Sequence, residues 1–132
     1  MAQKIVITGA PGTGKTSIIE NLKQKGYHCL EEISRQITLN ARKDGIDQLF
    51  LEKPSVFSDK LFEGRLGQFH VANAHEEKIV FLDRGIPDIL AYMDFINEDY
   101  PAGYIEGCKT FKYVSRSRVS KFLPTDEVCF SI

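Results

Sequence analysis

The chain has no charge excess, no paired cysteines and no long apolar run, and each absence removes a class of protein. Lysine and arginine together number 17 against 18 aspartates and glutamates, a formal net charge of −1. Nothing in that balance calls for nucleic acid or an anionic membrane as a partner. The three cysteines, Cys29, Cys108 and Cys129, form no C-x-x-C pair and are odd in number. They read as reduced thiols of a cytoplasmic protein. The N-terminal region offers only Ile5-Val6-Ile7 as a continuous apolar run, too short for a signal peptide or a membrane span. No internal repeat or low-complexity tract occurs. There is no N-K-x-D motif to read guanine, which disfavours a GTPase. His28, His70 and His75 lack ligand spacing with cysteines or acids and are expected to be structural or solvent-facing.

What is present suits one domain spanning 1–132. A domain of this size buries roughly two-thirds of its unfolded surface, enough for a core without covalent staples. Lys4 to Thr8 reads as a buried strand, a short β-branched run ended by glycine. Thr16 to Lys25 reads as a helix with Ile18, Ile19 and Leu22 on one face and Gly26 as a stop. Tyr27 to Leu30 is a short second strand closed by Glu31-Glu32. Ile33, Ile37 and Ala41 recur every four residues, predicting a helix that ends before Gly45. Pro54 opens a long helical pattern to about His75 with Phe57, Leu61, Leu66 and Phe69 as its apolar face; Gly64 and Gly67 each weaken it by about 1 kcal/mol. Lys78 to Leu82 predicts a third strand, and Pro87 suits the first position of a helix to about Asn97. Strands alternating with helices favour a parallel sheet of three to four strands with helices on both faces. In such a sheet the strands' carboxyl ends share one edge, where ligands bind. The residues expected to converge there are Gly9 to Thr16, Glu31-Glu32 and Asp83-Arg84.

The stretch from Gly9 to Thr16, GAPGTGKT, matches G-x-x-x-x-G-K-[ST] in full. Ordinary residue frequencies produce such a match by chance in about 0.4% of chains this long. Here it also lies between an apolar strand and an apolar helix. Gly12 and Gly14 allow positive φ and close backbone approach to an anion. Successive N–H groups from Gly12 through Thr16 then form an anion nest, reinforced by the helix N-terminus. Pro11 has no N–H and holds Ala10 extended. Lys15 supplies a mobile charge for the outer phosphates, and the Thr16 hydroxyl suits Mg²⁺. Gly9, Ala10, Pro11, Gly12, Thr13, Gly14, Lys15 and Thr16 are therefore the candidate nucleotide contacts.

Asp83, at the end of IVFLD, is the second candidate Mg²⁺ ligand beside Thr16. Arg84 is placed either against a phosphate or acidic substrate group, or in a salt bridge to a nearby carboxylate. Of Glu31 and Glu32 only one is expected to face the cleft, since side chains alternate along a strand. Glu32 is favoured as a general base or as the group orienting an acceptor hydroxyl; the alternative puts both acids in the first turn of the next helix, where its dipole suits them. Arg35 could pair with either acid along that helix. Asp88 falls in the first turn after Pro87, where a dipole-satisfying role is favoured. Lys15, Glu32, Asp83 and Arg84 are the candidate catalytic residues. Arg116, Arg118 and Lys121 form a small basic run read as a solvated face, with phosphate contact as the alternative.

The segments VITGAPGTGKTSIIENLKQKGYHCLEEISRQI and VFLDRGIPDILAY resemble small bacterial P-loop proteins of the AAA-type ATPase domain family, which are similar to ribosylnicotinamide kinase domains. The resemblance covers roughly Met1 to Tyr113. It implies a three-layer P-loop fold, ATP and Mg²⁺ as ligands, Lys15 and Thr16 as their contacts, and Asp83 as the strand-end acid. More distantly, deoxynucleoside kinases place an acid after the second strand and an acid–arginine pair after the third, where they serve the phosphate acceptor; this supports Glu32, Asp83 and Arg84 by analogy. Such proteins continue through a fourth strand and an arginine-bearing lid. Here VSRSRVSKFLPTDEVCFSI offers one weak strand, Val119 to Leu123, so the C-terminal part reads as incomplete. Lost lid arginines can lower turnover by about 10³ or more. The expectation is an ATP-binding ATPase or small-molecule kinase, with a nucleotide-binding regulatory module of weak turnover as the alternative. An AAA+ motor is disfavoured because Asp83 is followed by Arg84 and not by glutamate.

Overall fold

A computed structural model describes residues 2–8 and 14–113. Its elements are β1 (Gln3–Ile7), α1 (Lys15–Gln24), β2 (His28–Leu30), α2 (Ser34–Lys43), α3 (Leu49–Glu52), α4 (Pro54–Ala74), β3 (Ile79–Asp83), α5 (Pro87–Phe95) and α6 (Ala102–Thr110). The strands form a parallel sheet in the order β1-β3-β2. The last of the described strands thus lies in the middle, with Ile7 opposite Asp83 and Leu30 opposite Leu82.

Strand alternation sorts the side chains into two layers. Ile5, Ile7 and Phe81 face α1 and pack with Ile19 and Leu22. Ala2, Val6, Val80 and Leu82 face the other way, against Ala72 of α4. One helix on each side of the sheet gives the three-layer α/β arrangement of a P-loop NTPase fold. A third cluster, built from Ala41, Leu49, Phe57, Leu61, Ile89, Met93 and Tyr104, joins the helices to one another.

The polar exception in β1 is Lys4, which lies on the α4 side. Its Nζ donates to Asn73 Oδ1 at 2.8 Å and sits 4.6 Å from the centre of the Phe69 ring. Burial lowers its pKa. Two glycines make room for close packing. A Cβ at Gly64 would run into Ile33 Cδ1, and one at Gly107 would lie 2.8 Å from the Phe62 ring. The sequence penalty at Gly64 is therefore offset by tertiary fit, whereas Gly67 has open space.

The helices α3 and α6 are additional to the elements expected from sequence. The expected strand Val119 to Leu123, the basic run Arg116, Arg118 and Lys121, and Cys129 lie outside the described residues. Cys29 and Cys108 are free thiols. His28 and His75 stack with ring centroids 4.0 Å apart. Among the described residues no helix is long and apolar enough to cross a membrane.

Candidate functional site

The site forms where the strands' carboxyl ends meet the first turns of the helices. Gly14 precedes α1 with φ +86°, the left-handed conformation glycine adopts freely. Its carbonyl accepts the Ile18 N–H at 3.1 Å, opening the helix. Lys15 and Thr16 occupy the first turn. Gly9, Ala10, Pro11, Gly12 and Thr13 lie outside the described residues.

Alternation along β3 puts Ile79, Phe81 and Asp83 on the α1 side, so the carboxylate ending the strand is directed at the start of α1. Lys15 Nζ donates to Asp83 Oδ1 and forms an ion pair with it. Thr16 lines the same cleft, a cavity of about 350 Å³ bounded also by Glu20, Lys23, Glu31, Glu32 and Arg35.

The same alternation continues beyond β2 and separates the two glutamates. Cys29 packs on the α1 side, and Glu31 two residues on pairs with Lys23 of α1 at 2.6 Å. That hydrogen bond, then the charge of Lys23, holds the Glu31 carboxyl below its ordinary pKa. Leu30 packs on the α4 side, and Glu32 two residues on meets Arg65 of α4, with Arg65 Nη2 donating to Glu32 Oε1 at 3.1 Å. The Ser34 N–H donates to the same oxygen at 3.1 Å. Arg84 Nε lies 2.9 Å from Glu32 Oε2 as an ion pair without hydrogen-bond alignment.

Two expectations about this pair are corrected. Both glutamates line the cleft, although only one was expected to. Neither lies in the following helix, which begins at Ser34. They differ in setting: the Glu31 side chain is 77% exposed and that of Glu32 18%. Arg35 forms no ion pair among the described residues, and only its charge reaches Glu31.

The turn after β3 is tightly specified. The Arg84 N–H donates to Ile7 O at 2.9 Å, and Arg84 adopts φ +70°. Asp88 accepts the Gly85 N–H and the Thr8 hydroxyl, each at 2.6 Å. Asp88 thus ties the end of β1 to the start of α5, which agrees with a structural role in the first turn. Arg84 Nη1 also donates to Thr8 Oγ1 at 3.4 Å. Of the two placements open to Arg84 from sequence, the structure contains the salt bridge to a neighbouring carboxylate.

Arg65 is the residue that sequence reasoning missed. Its side chain is 4% exposed, and besides Glu32 it donates from Nη1 to Gly85 O at 3.3 Å. A signal was available. Leu61, Arg65 and Phe69 recur every four residues, so the arginine stands in the middle of the buried stripe of α4. An arginine there must have a partner for its charge.

A parallel sheet, a glycine in the left-handed region before a helix, and a lysine facing a strand-end acid define the class: a P-loop nucleotide-binding α/β domain. A family model described as an AAA domain matches residues 4–123, and the chain belongs to that family. No curated protein and no solved structure matches the chain.

Proposed function

We propose that this domain binds ATP with Mg²⁺ and transfers the γ-phosphoryl group to water or to a hydroxyl of a small, nucleoside-like molecule. The observation that carries this reading is the convergence of Lys15, Thr16, Glu32 and Asp83 on one cleft. The Thr16 hydroxyl and the Asp83 carboxylate are hard oxygen donors on that cleft. Magnesium takes few protein ligands and completes its shell with phosphate oxygens and water. When bound, the ion would neutralise charge on the β- and γ-phosphates.

The chain's own residues divide the remaining work. The N–H groups at the start of α1 and the helix dipole attract the polyphosphate. Lys15 exchanges its Asp83 partner for phosphate oxygens, which frees the carboxylate for the metal. Glu32, held by its arginines on the cleft wall, accepts the proton of the attacking hydroxyl or water. Arg84, beside it, stabilises the charge on the phosphoryl group in transfer.

The test is isothermal titration with ATP, ADP and GTP, with and without Mg²⁺, on wild type and Lys15→Ala. ATP is expected to bind wild type and to bind the variant at least about tenfold more weakly, as loss of a charged hydrogen bond implies. Absence of ATP binding in wild type overturns the reading. ADP formation measured with and without a nucleoside panel, suggested by the resemblance to ribosylnicotinamide kinase domains, separates a kinase from a plain ATPase. Strict dependence on an added nucleoside identifies the kinase.

A further inference from the structure

We infer that Arg65 is a positioning residue, fixing Glu32 against the turn that follows β3 so that its carboxylate faces the phosphoryl-transfer cleft. The inference rests on the phosphotransfer reading above and adds to it a residue from a helix that carries no recognised motif.

Three features separate Arg65 from an ordinary surface ion pair. First, its guanidinium bridges two different strand ends. Nη2 holds Glu32 after β2, and Nη1 holds the carbonyl of Gly85 after β3. Those strands are neighbours in the sheet. A planar fork can satisfy both acceptors at once, whereas an ammonium is a single point. Second, the side chain is almost wholly buried, and its Nε has no hydrogen-bond partner among the described residues. A donor left unsatisfied in the interior is costly. The sequence retains arginine on the apolar stripe of α4 despite that cost. Third, the two oxygens of Glu32 have different surroundings. Oε1 takes both well-formed hydrogen bonds, from Arg65 and from the Ser34 N–H. Oε2 is buried, makes no hydrogen bond among the described residues, and has Arg84 beside it as a misaligned ion pair.

The asymmetry suits a base. Arg65 and the Ser34 amide occupy one oxygen permanently and fix the plane of the carboxylate. The other oxygen is covered by Arg84, whose side chain is 30% exposed against 4% for Arg65. When Arg84 turns towards a phosphoryl group, Oε2 becomes the acceptor for a hydroxyl proton. Arg65 does not line the cleft. Its contacts with the site are Glu32 and the Gly85 carbonyl, neither of them in the first turn of α1, which makes its effect separable from nucleotide binding.

The experiment compares wild type, Glu32→Gln, Arg65→Met, Arg65→Lys and the double variant Glu32→Gln/Arg65→Met. Amide resonances and MgATP affinity are recorded for each, with ADP formation at saturating MgATP in the presence and absence of the nucleoside panel. In Arg65→Met the Ser34 amide resonance is expected to shift, because the carboxylate it bonds is no longer held. MgATP affinity should stay within about threefold of wild type, since the contacts of Arg65 are to Glu32 and the Gly85 carbonyl and not to the first turn of α1. ADP formation should fall by about tenfold or more, and the double variant should be no slower than Glu32→Gln, as residues acting as one unit are non-additive. Arg65→Lys keeps the buried charge and guards against a variant that fails to fold; it should keep MgATP affinity yet still form ADP more slowly than wild type. An unshifted Ser34 resonance, unchanged ADP formation in both variants, or multiplicative losses in the double variant overturns the inference while leaving MgATP binding intact. Absence of MgATP binding in wild type overturns the phosphotransfer reading, and this inference with it.

Discussion

Ile7 and Asp83 are direct partners in the parallel β1–β3 ladder. The pairing places the carboxylate that ends β3 beside the strand that leads into the phosphate-loop motif, with no strand between them. Because Asp83 shares the α1 side of the sheet with Phe81, it meets Lys15 at the first position of that helix. Strand parity and register thus bring the strand-end acid to the first turn of α1.

Replacing Asp83 by Asn should change how nucleotide binding depends on metal. The carboxylate holds Lys15 and also repels a polyphosphate. In Asp83→Asn, ATP affinity without Mg²⁺ is expected to equal or exceed that of wild type. The gain on adding Mg²⁺ should shrink by about tenfold, the loss of one charged ligand interaction. Titration calorimetry at matched ionic strength measures both; an undiminished Mg²⁺ effect would remove Asp83 from the proposed metal ligands.

Glu31 and Glu32 should respond unequally to neutralisation. Glu31 pairs with Lys23 in water, where ion pairs add little. Glu31→Gln is expected to leave the thermal midpoint unmoved. Glu32→Gln leaves the buried Arg65 without its counter-charge and should cost about 2 kcal/mol or more. Parallel denaturant titrations of the two variants check this, and equal midpoints would refute it.

How much of this was legible in the sequence depends on the kind of signal. The three strands, the first-turn lysine and the acid ending β3 follow from β-branched runs, a full motif and alternation, all local properties. The split of Glu31 from Glu32 needed the same alternation carried past the strand end, with a helix on each side of the sheet to receive each acid. Arg65 was visible only as an interruption of an apolar stripe; its partners are 33 and 20 residues away and come from packing. The short helix α3 gave no periodic pattern, since its four residues complete little more than one turn.

Two glycines in helices should have opposite effects when changed to alanine. At Gly67 a Cβ meets nothing within 4 Å, so Gly67→Ala should stabilise by up to about 1 kcal/mol through helix propensity. At Gly107 the added carbon would press on Phe62, whose ring stacks on Tyr104 with centroids 4.9 Å apart. Gly107→Ala should therefore destabilise, by about 1–3 kcal/mol of overpacking less the propensity gain. Chemical denaturation of both variants gives the signs directly.

Stability should fall at high pH because of Tyr104 and Tyr113. Burial pushes both phenols from an ordinary value of 10.0 up to about 12. For Tyr104 a hydrogen bond donated to Asp59 adds to the effect, since an ionised phenol could not make it. For Tyr113 the Ile86 N–H, donated to the phenol oxygen at 3.3 Å, opposes the rise without cancelling it. The folded pKa lies above the unfolded one in both cases, so the folded state holds these protons more tightly. Their contribution is complete below pH 10 and is lost as pH climbs to about 12, because the unfolded chain gains stability by ionising first. Tyr104→Phe and Tyr113→Phe should each flatten the alkaline decline in denaturation midpoint. Each should also remove one late-titrating phenolate from the absorbance titration of the folded protein. A decline of the same steepness in both variants would assign alkaline unfolding to other groups.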